Sequence, residues 1–109
     1  MRVLVTGASG FVGGALLRQL AERSDMQLLA GLRDLSSLPV GLSCEPRLLG
    51  DLADVPIDPG VLAGVDVVVH AAARVHVMRE VAAEPLEAFR CVNLHGALNL
   101  ARAAALAGV

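Results

Sequence analysis

The chain has 109 residues, 55% of them hydrophobic and 18% charged, with a formal net charge of −2. That length bounds it to one domain with room for a real core, and the near-neutral balance excludes an electrostatic nucleic-acid binder or a protein drawn to anionic membrane surfaces. All nine basic residues are arginine, and lysine, tyrosine and tryptophan are absent. Cys44 and Cys91 are isolated and far apart, which fits reduced thiols in a cytoplasmic protein rather than a disulfide or a metal site. Met1-Arg2 leads directly into an apolar run, so no targeting peptide is expected. The longest apolar stretch, Leu94 to Val109, is broken by His95, Asn99 and Arg102 and falls short of the roughly 20 residues a membrane span needs.

In chain order, Arg2 to Val5 reads as a strand and Phe11 to about Arg23 as a helix, with Val12, Ala15, Leu16, Gln19 and Leu20 spaced to bury one stripe. Gln27 to Leu32 reads as the second strand. From Arg33 to Pro46 the segment is loop-like, because Pro39, Gly41 and Pro46 limit any helix to a turn or two. Arg47 to Gly50 reads as a short third strand. Pro56, Pro59 and Gly60 bracket a short helical piece, and Asp66 to His70 is a β-branched run of the kind that a parallel strand buried on both faces requires. Glu84-Pro85 opens a long helix that Gly108 closes, with Phe89, Val92, Gly96, Leu100 and Ala103 on one stripe. Alternation of strand and helix predicts an α/β fold, a Rossmann-type doubly wound parallel sheet of about four strands.

The first strand runs straight into Thr6-Gly7-Ala8-Ser9-Gly10-Phe11-Val12-Gly13, whose glycines lie three apart. Gly7 permits a tight turn, Gly10 permits close approach of the backbone to a pyrophosphate, and Gly13 permits the new helix to pack on the strand. The amides of Ser9, Phe11 and Val12 belong to the same turn and helix start, where free N–H groups and partial positive charge favour an anion. Arg33 closes the second strand, where a side chain meets the adenosine ribose in folds of this kind. A guanidinium there forks onto a 2′-phosphate and favours NADP(H) over NAD(H); Asp34 takes the NAD role if the register is shifted by one. Ala71-Ala72-Ala73 follows the fourth strand at the point where such a sheet reverses direction, leaving room for the cofactor against backbone. His70 before it reads as a structural, hydrogen-bonded histidine.

The glycine spacing with Thr6 before it resembles the short-chain dehydrogenase/reductase superfamily, and Phe11-Val12 its extended branch, the NAD-dependent epimerases, dehydratases and reductases. The resemblance covers all 109 residues. Asp51-Leu52 resembles the pair with which that family holds adenine. His70 to Ala73 resembles its His-x-Ala-Ala segment, and Asn93-Leu94-His95-Gly96 its Asn-Val-x-Gly, with Asn93 expected on the core-facing stripe near the active site. Arg74 to Arg79 falls where such enzymes begin to contact a sugar nucleotide. The family's catalytic Tyr-x-x-x-Lys pair has no counterpart here, so no catalytic residue is assigned and the chain alone is expected to be inactive.

The resemblance therefore implies that residues 1–109 form the NAD(P)-binding, N-terminal part of a longer cytoplasmic enzyme acting on a nucleoside-diphosphate sugar. An NADPH-dependent reductase of aldehydes, ketones or steroids and a non-catalytic NADP(H) sensor remain alternatives. An unpaired edge at Val67 to Val69 predicts self-association or a homodimer.

Overall fold

The computed structural model describes residues 1–54, 56–73 and 83–109. The run from Arg74 to Arg79, expected near a sugar nucleotide, lies outside the described residues. Strand β1 (Arg2–Thr6) is followed by helix α1 (Phe11–Leu20), β2 (Gln27–Leu32), a 3₁₀ turn at Leu35–Ser37, β3 (Glu45–Leu48), a second 3₁₀ turn at Pro59–Leu62, and β4 (Val67–His70). Helix α2 (Pro85–Arg90) then passes through a wide π turn, Cys91–His95, into α3 (Gly96–Ala107).

All strand pairs are parallel, in the order β3-β2-β1-β4. In β1, Val3 and Val5 point to one face and Leu4 to the other, because side chains alternate along a strand. The first face packs with Leu17 of α1 and with Leu28, Ala30 and Leu32 of β2. The second gathers Leu4 and Leu29 with Leu52, Ile57, Leu62, Val65, Leu100 and Ala103, so α3 and the second 3₁₀ turn cover the side opposite α1. This is the Rossmann-type α/β arrangement that the alternating pattern predicts.

The structure shifts four details. In α1 the fully buried residues are Gly13, Gly14 and Leu17, whereas Val12, Ala15 and Gln19 are exposed. Two side-chain-free positions let the helix sit close on the sheet, which rotates the buried stripe away from the one the apolar spacing marks. The α-helix ends at Leu20 and unwinds through a turn to Arg23. Strand β3 lies at Glu45–Leu48 rather than 47–50, since Gly50 turns with φ +68. Pro46 is tolerated within it: Leu49 donates to the Leu32 carbonyl at 2.8 Å, so alternation aims position 46 away from β2, where a missing N–H breaks no ladder bond. Finally, β4 is only half-buried, with Val67 exposed, because β1 is its one strand partner among the described residues.

Opposite the strand carboxyl ends, charges are locked to one another. Glu45 bridges Arg2 at 3.0 Å and Arg47 at 2.7 Å, and the Arg2 amide donates to the Asp66 carboxylate at 2.6 Å.

Candidate functional site

The carboxyl ends of all four strands open into one cleft of about 560 Å³. In an open parallel sheet this end, at the point where strand order reverses between β1 and its two neighbours, is where ligands bind. Five segments build it: the turn after β1, the end of β2, the turn after β3, the backbone after β4, and Val92 of the π turn.

The turn after β1 is dictated by space. Gly7 adopts φ +65, and a β-carbon on it would lie 2.8 Å from the Ala71 carbonyl carbon and the Ala72 nitrogen. A β-carbon on Gly13 would collide with the Gly7 carbonyl, so both positions are restricted to glycine by backbone. Gly10 donates to the Gly7 carbonyl at 2.9 Å and accepts from Gly14 at 2.9 Å, making Gly10 the residue from which α1 starts. The amides of Phe11, Val12 and Gly13 precede the first intrahelical bond. No side chain caps them and the first turn carries no acidic residue. Phe11 is 92% and Val12 67% exposed beside the cleft, so the helix start presents bare N–H groups and apolar side chains to it.

Thr6, at the end of β1, is 1% exposed and ties this turn to the opposite wall. Its Oγ1 accepts from the amides of Ala71 and Ala72, both at 3.1 Å, and lies 2.8 Å from Nδ1 of His70. The hydroxyl is the single polar side chain in the buried core of the described residues. It holds the Ala71–Ala72 backbone against Gly7.

At the other end of the cleft, Arg33 is exposed and makes no hydrogen bond or ion pair with a described residue. Asp34 next to it is engaged: its carboxylate accepts from the Ser36 amide at 2.9 Å, and its carbonyl from the Ser37 hydroxyl at 2.6 Å. The Ser36 amide bond, followed by the Ser36 side chain, holds the Asp34 carboxyl below the usual carboxylate range. Asp51 accepts from the Ala53 amide at 3.0 Å and borders the cleft, while Leu52 beside it is buried in the core.

The structure thus brings Gly7, Ser9, Gly10, Phe11, Val12, Gly13, Arg33, Asp51, Leu52, Ala71, Ala72 and Ala73 around one cleft. Asn93 is not among its lining residues and is exposed instead of core-facing. The π turn accounts for this, because its wide i to i−5 bond from Gly96 to the Cys91 carbonyl shifts the helical phase. The structural amide is Asn99, whose Nδ2 donates to the Leu52 carbonyl at 2.9 Å. Sequence reading missed Asn99, although its place three residues past Gly96 on the same helix was a usable signal. It missed Gly31 as well, where a β-carbon would lie 2.9 Å from a Leu49 methyl.

A four-stranded parallel sheet with helices on both faces and a glycine-built cleft at its switch point defines a Rossmann-type α/β protein. The sequence profile of the NAD dependent epimerase/dehydratase family matches residues 3–109, and the chain belongs to that family. It is 38% identical to UDP-glucose 4-epimerase of Vibrio cholerae over 98% of this chain and 32% of that protein. It is 35% identical to 3-beta-hydroxysteroid dehydrogenase of Mycolicibacterium neoaurum over 99% of this chain and 30% of that protein. Among solved structures, a variant of uronate dehydrogenase from Agrobacterium tumefaciens complexed with NAD superimposes with a TM-score of 0.71 at 33% identity, covering 98% of this chain and 37% of that one. The chain spans about a third of the length of these relatives. No helix among the described residues is long and apolar enough to cross a membrane.

Proposed function

We propose that residues 1–109 are the dinucleotide-binding part of an NAD(P)-dependent enzyme that epimerises, dehydrates or reduces a nucleoside-diphosphate sugar. The observation that carries this reading is the cleft itself: glycines imposed by backbone contact, an uncapped helix start and an exposed arginine line one cavity at the switch point. Uncapped first-turn amides fit a pyrophosphate, with Gly7, Ser9, Gly10, Phe11, Val12 and Gly13 as its cradle. Arg33 fits the 2′-phosphate of NADP(H), and Asp34, occupied by Ser36, is the poorer ribose partner. Asp51 and Leu52 would receive adenine and Ala71 to Ala73 the nicotinamide half, whereas Asn93, exposed and outside the cleft lining, is given no contact with the cofactor. When bound, the nicotinamide supplies hydride transfer; the residues of this chain bind and orient it. With no tyrosine and no lysine, the chain has no proton-transfer pair of the family's kind and is inactive by itself.

A second reading, an NADPH-dependent reductase of steroids or small ketones, is favoured by Arg33 together with the steroid dehydrogenase relative. The open edge of β4 supports self-association.

Calorimetric titration with NADPH and NADH tests the cofactor reading. NADPH binds more tightly, Gly10→Val abolishes binding of both, and Arg33→Ala removes the preference, a loss of about tenfold for a charge-assisted phosphate contact. Equal affinities in the unmodified chain would refute the role given to Arg33. Failure of a folded chain to bind either would refute the cradle.

A further inference from the structure

The Thr6 hydroxyl has one proton to give and two lone pairs to receive with. Both lone pairs are taken, by Ala71 and Ala72, so its proton goes to Nδ1 of His70 at 2.8 Å. Nδ1 must then be bare, and the ring neutral with its proton on Nε2. This assignment follows from counting donors and acceptors around one buried atom. We propose that His70 is a positioning residue: its neutral, Nε2-protonated ring fixes Thr6 and, through Thr6, the Ala71–Ala72 wall, so that protonating the ring weakens dinucleotide binding. The inference rests on the cofactor reading above and adds a pH-dependent element to it.

Protonation places a hydrogen on Nδ1, and three donors then face one oxygen that can accept from two. The Thr6 proton simultaneously loses its acceptor. One of the three donors gives way, the ring or an Ala71 or Ala72 amide; either way Thr6 loses the acceptor that fixed it, and the backbone it holds lies where a Gly7 β-carbon would be 2.8 Å away. There is no slack on that side, so the wall moves into or away from the cleft.

The surroundings do little to stabilise a charged ring. His70 borders a cavity of about 240 Å³ between β4 and α3, lined by Val68, Ala97, Leu100, Ala101, Ala104 and Val109. Among the described residues no other side chain lining that cavity is ionisable; Arg102 of α3 is exposed and does not line it. Just before β4, Asp66 is bound to the Arg2 amide at the far end of the sheet from His70, and on β1 Arg2 is paired with Glu45. Although the residue is exposed overall, its Nδ1 edge is turned inward, and this partial burial lowers the imidazole pKa below its ordinary value.

Three readouts test the inference. Long-range nitrogen–proton NMR at about pH 8 should find His70 protonated on Nε2, well above the ordinary histidine pKa. The Ala72 amide should be protected from hydrogen exchange there and lose protection, relative to an unstructured chain, as His70 titrates. Calorimetry with NAD⁺ should show binding a few-fold weaker near pH 5 than near pH 8, as expected for a ring that titrates below the ordinary histidine range. In His70→Asn, whose carbonyl oxygen offers an acceptor near the place of Nδ1 without titrating, affinity, whatever its level at the higher pH, should not fall further as the pH is lowered. Thr6→Ser keeps the hydroxyl and should keep the pH dependence. A proton on Nδ1, Ala72 protection indifferent to His70, the same pH profile in His70→Asn, or tighter binding at low pH would each overturn it. No binding at any pH overturns the cofactor reading itself, and then the tautomer and Ala72 protection alone uphold or overturn the Thr6–His70 coupling.

Discussion

Gly13 has no alternative residue. A β-carbon there meets the Gly7 carbonyl, which is held by β1 on one side and bonded to the Gly10 amide on the other. Gly13→Ala is therefore an overpacking change against backbone and should lower stability by about 3 kcal/mol, at the upper end of such effects. At Gly10 the added carbon stops 3.2 Å from the same carbonyl, on an exposed residue, and Gly10→Ala should cost about 1 kcal/mol or less. Thermal unfolding of the two variants separates them, and equal losses would show that the glycine spacing serves no packing constraint. These glycines were legible in the sequence because backbone geometry repeats a spacing that stands out. Thr6 was visible as a member of the motif, but its three hydrogen-bond partners were not, since Ala71 and Ala72 reach it through amides that every residue carries. Asn93 and Asn99 show the limit from the other side: two asparagines on one helical run look alike until the helical phase is known.

At the scale of elements, α3 is joined to the turn after β3 by two contacts of different kind. Gly96 lets the helix approach until its missing β-carbon would be 3.1 Å from that of Leu52, and Asn99 donates across the same gap to the Leu52 carbonyl. Asp51, the adenine residue of the proposed site, precedes Leu52 and inherits that anchoring. Asn99→Ala should lose about 1 kcal/mol of stability, the net worth of an ordinary hydrogen bond, measured by urea denaturation. It should also weaken dinucleotide binding several-fold while leaving the NADPH preference proposed for Arg33 unaltered. A variant that binds with unchanged affinity would separate helix docking from the site. Element types were readable from periodicity, and all four strands fall within a few residues of their expected places. What periodicity could not supply was the wide turn at Cys91–His95, whose sequence continues an ordinary helical stripe, nor the partners of β4, whose β-branched residues give the same signal at an edge as in the middle of a sheet.

For the whole molecule, the strand order leaves β4 at one side with Val67 exposed, and β1 as its one strand partner among the described residues. Unpaired backbone groups on a β-branched strand recruit another chain. Size-exclusion chromatography with light scattering should show mass increasing with concentration, and Val67→Lys should reduce that increase; a concentration-independent monomer would rule out association through this edge. The cleft, for its part, draws on residues from position 6 to position 92, so no single segment discloses it. The π turn has a consequence for how these parts are divided. An extra residue in one turn of a helix changes its angular phase, so the surface facing the protein after the turn is not the continuation of the one before it. Gly96, Leu100 and Ala103 seat the later part on the sheet, while Val92 in the turn is delivered to the rim of the cleft. The helical run thereby works as a fastener along its second half and as a finger at its bend.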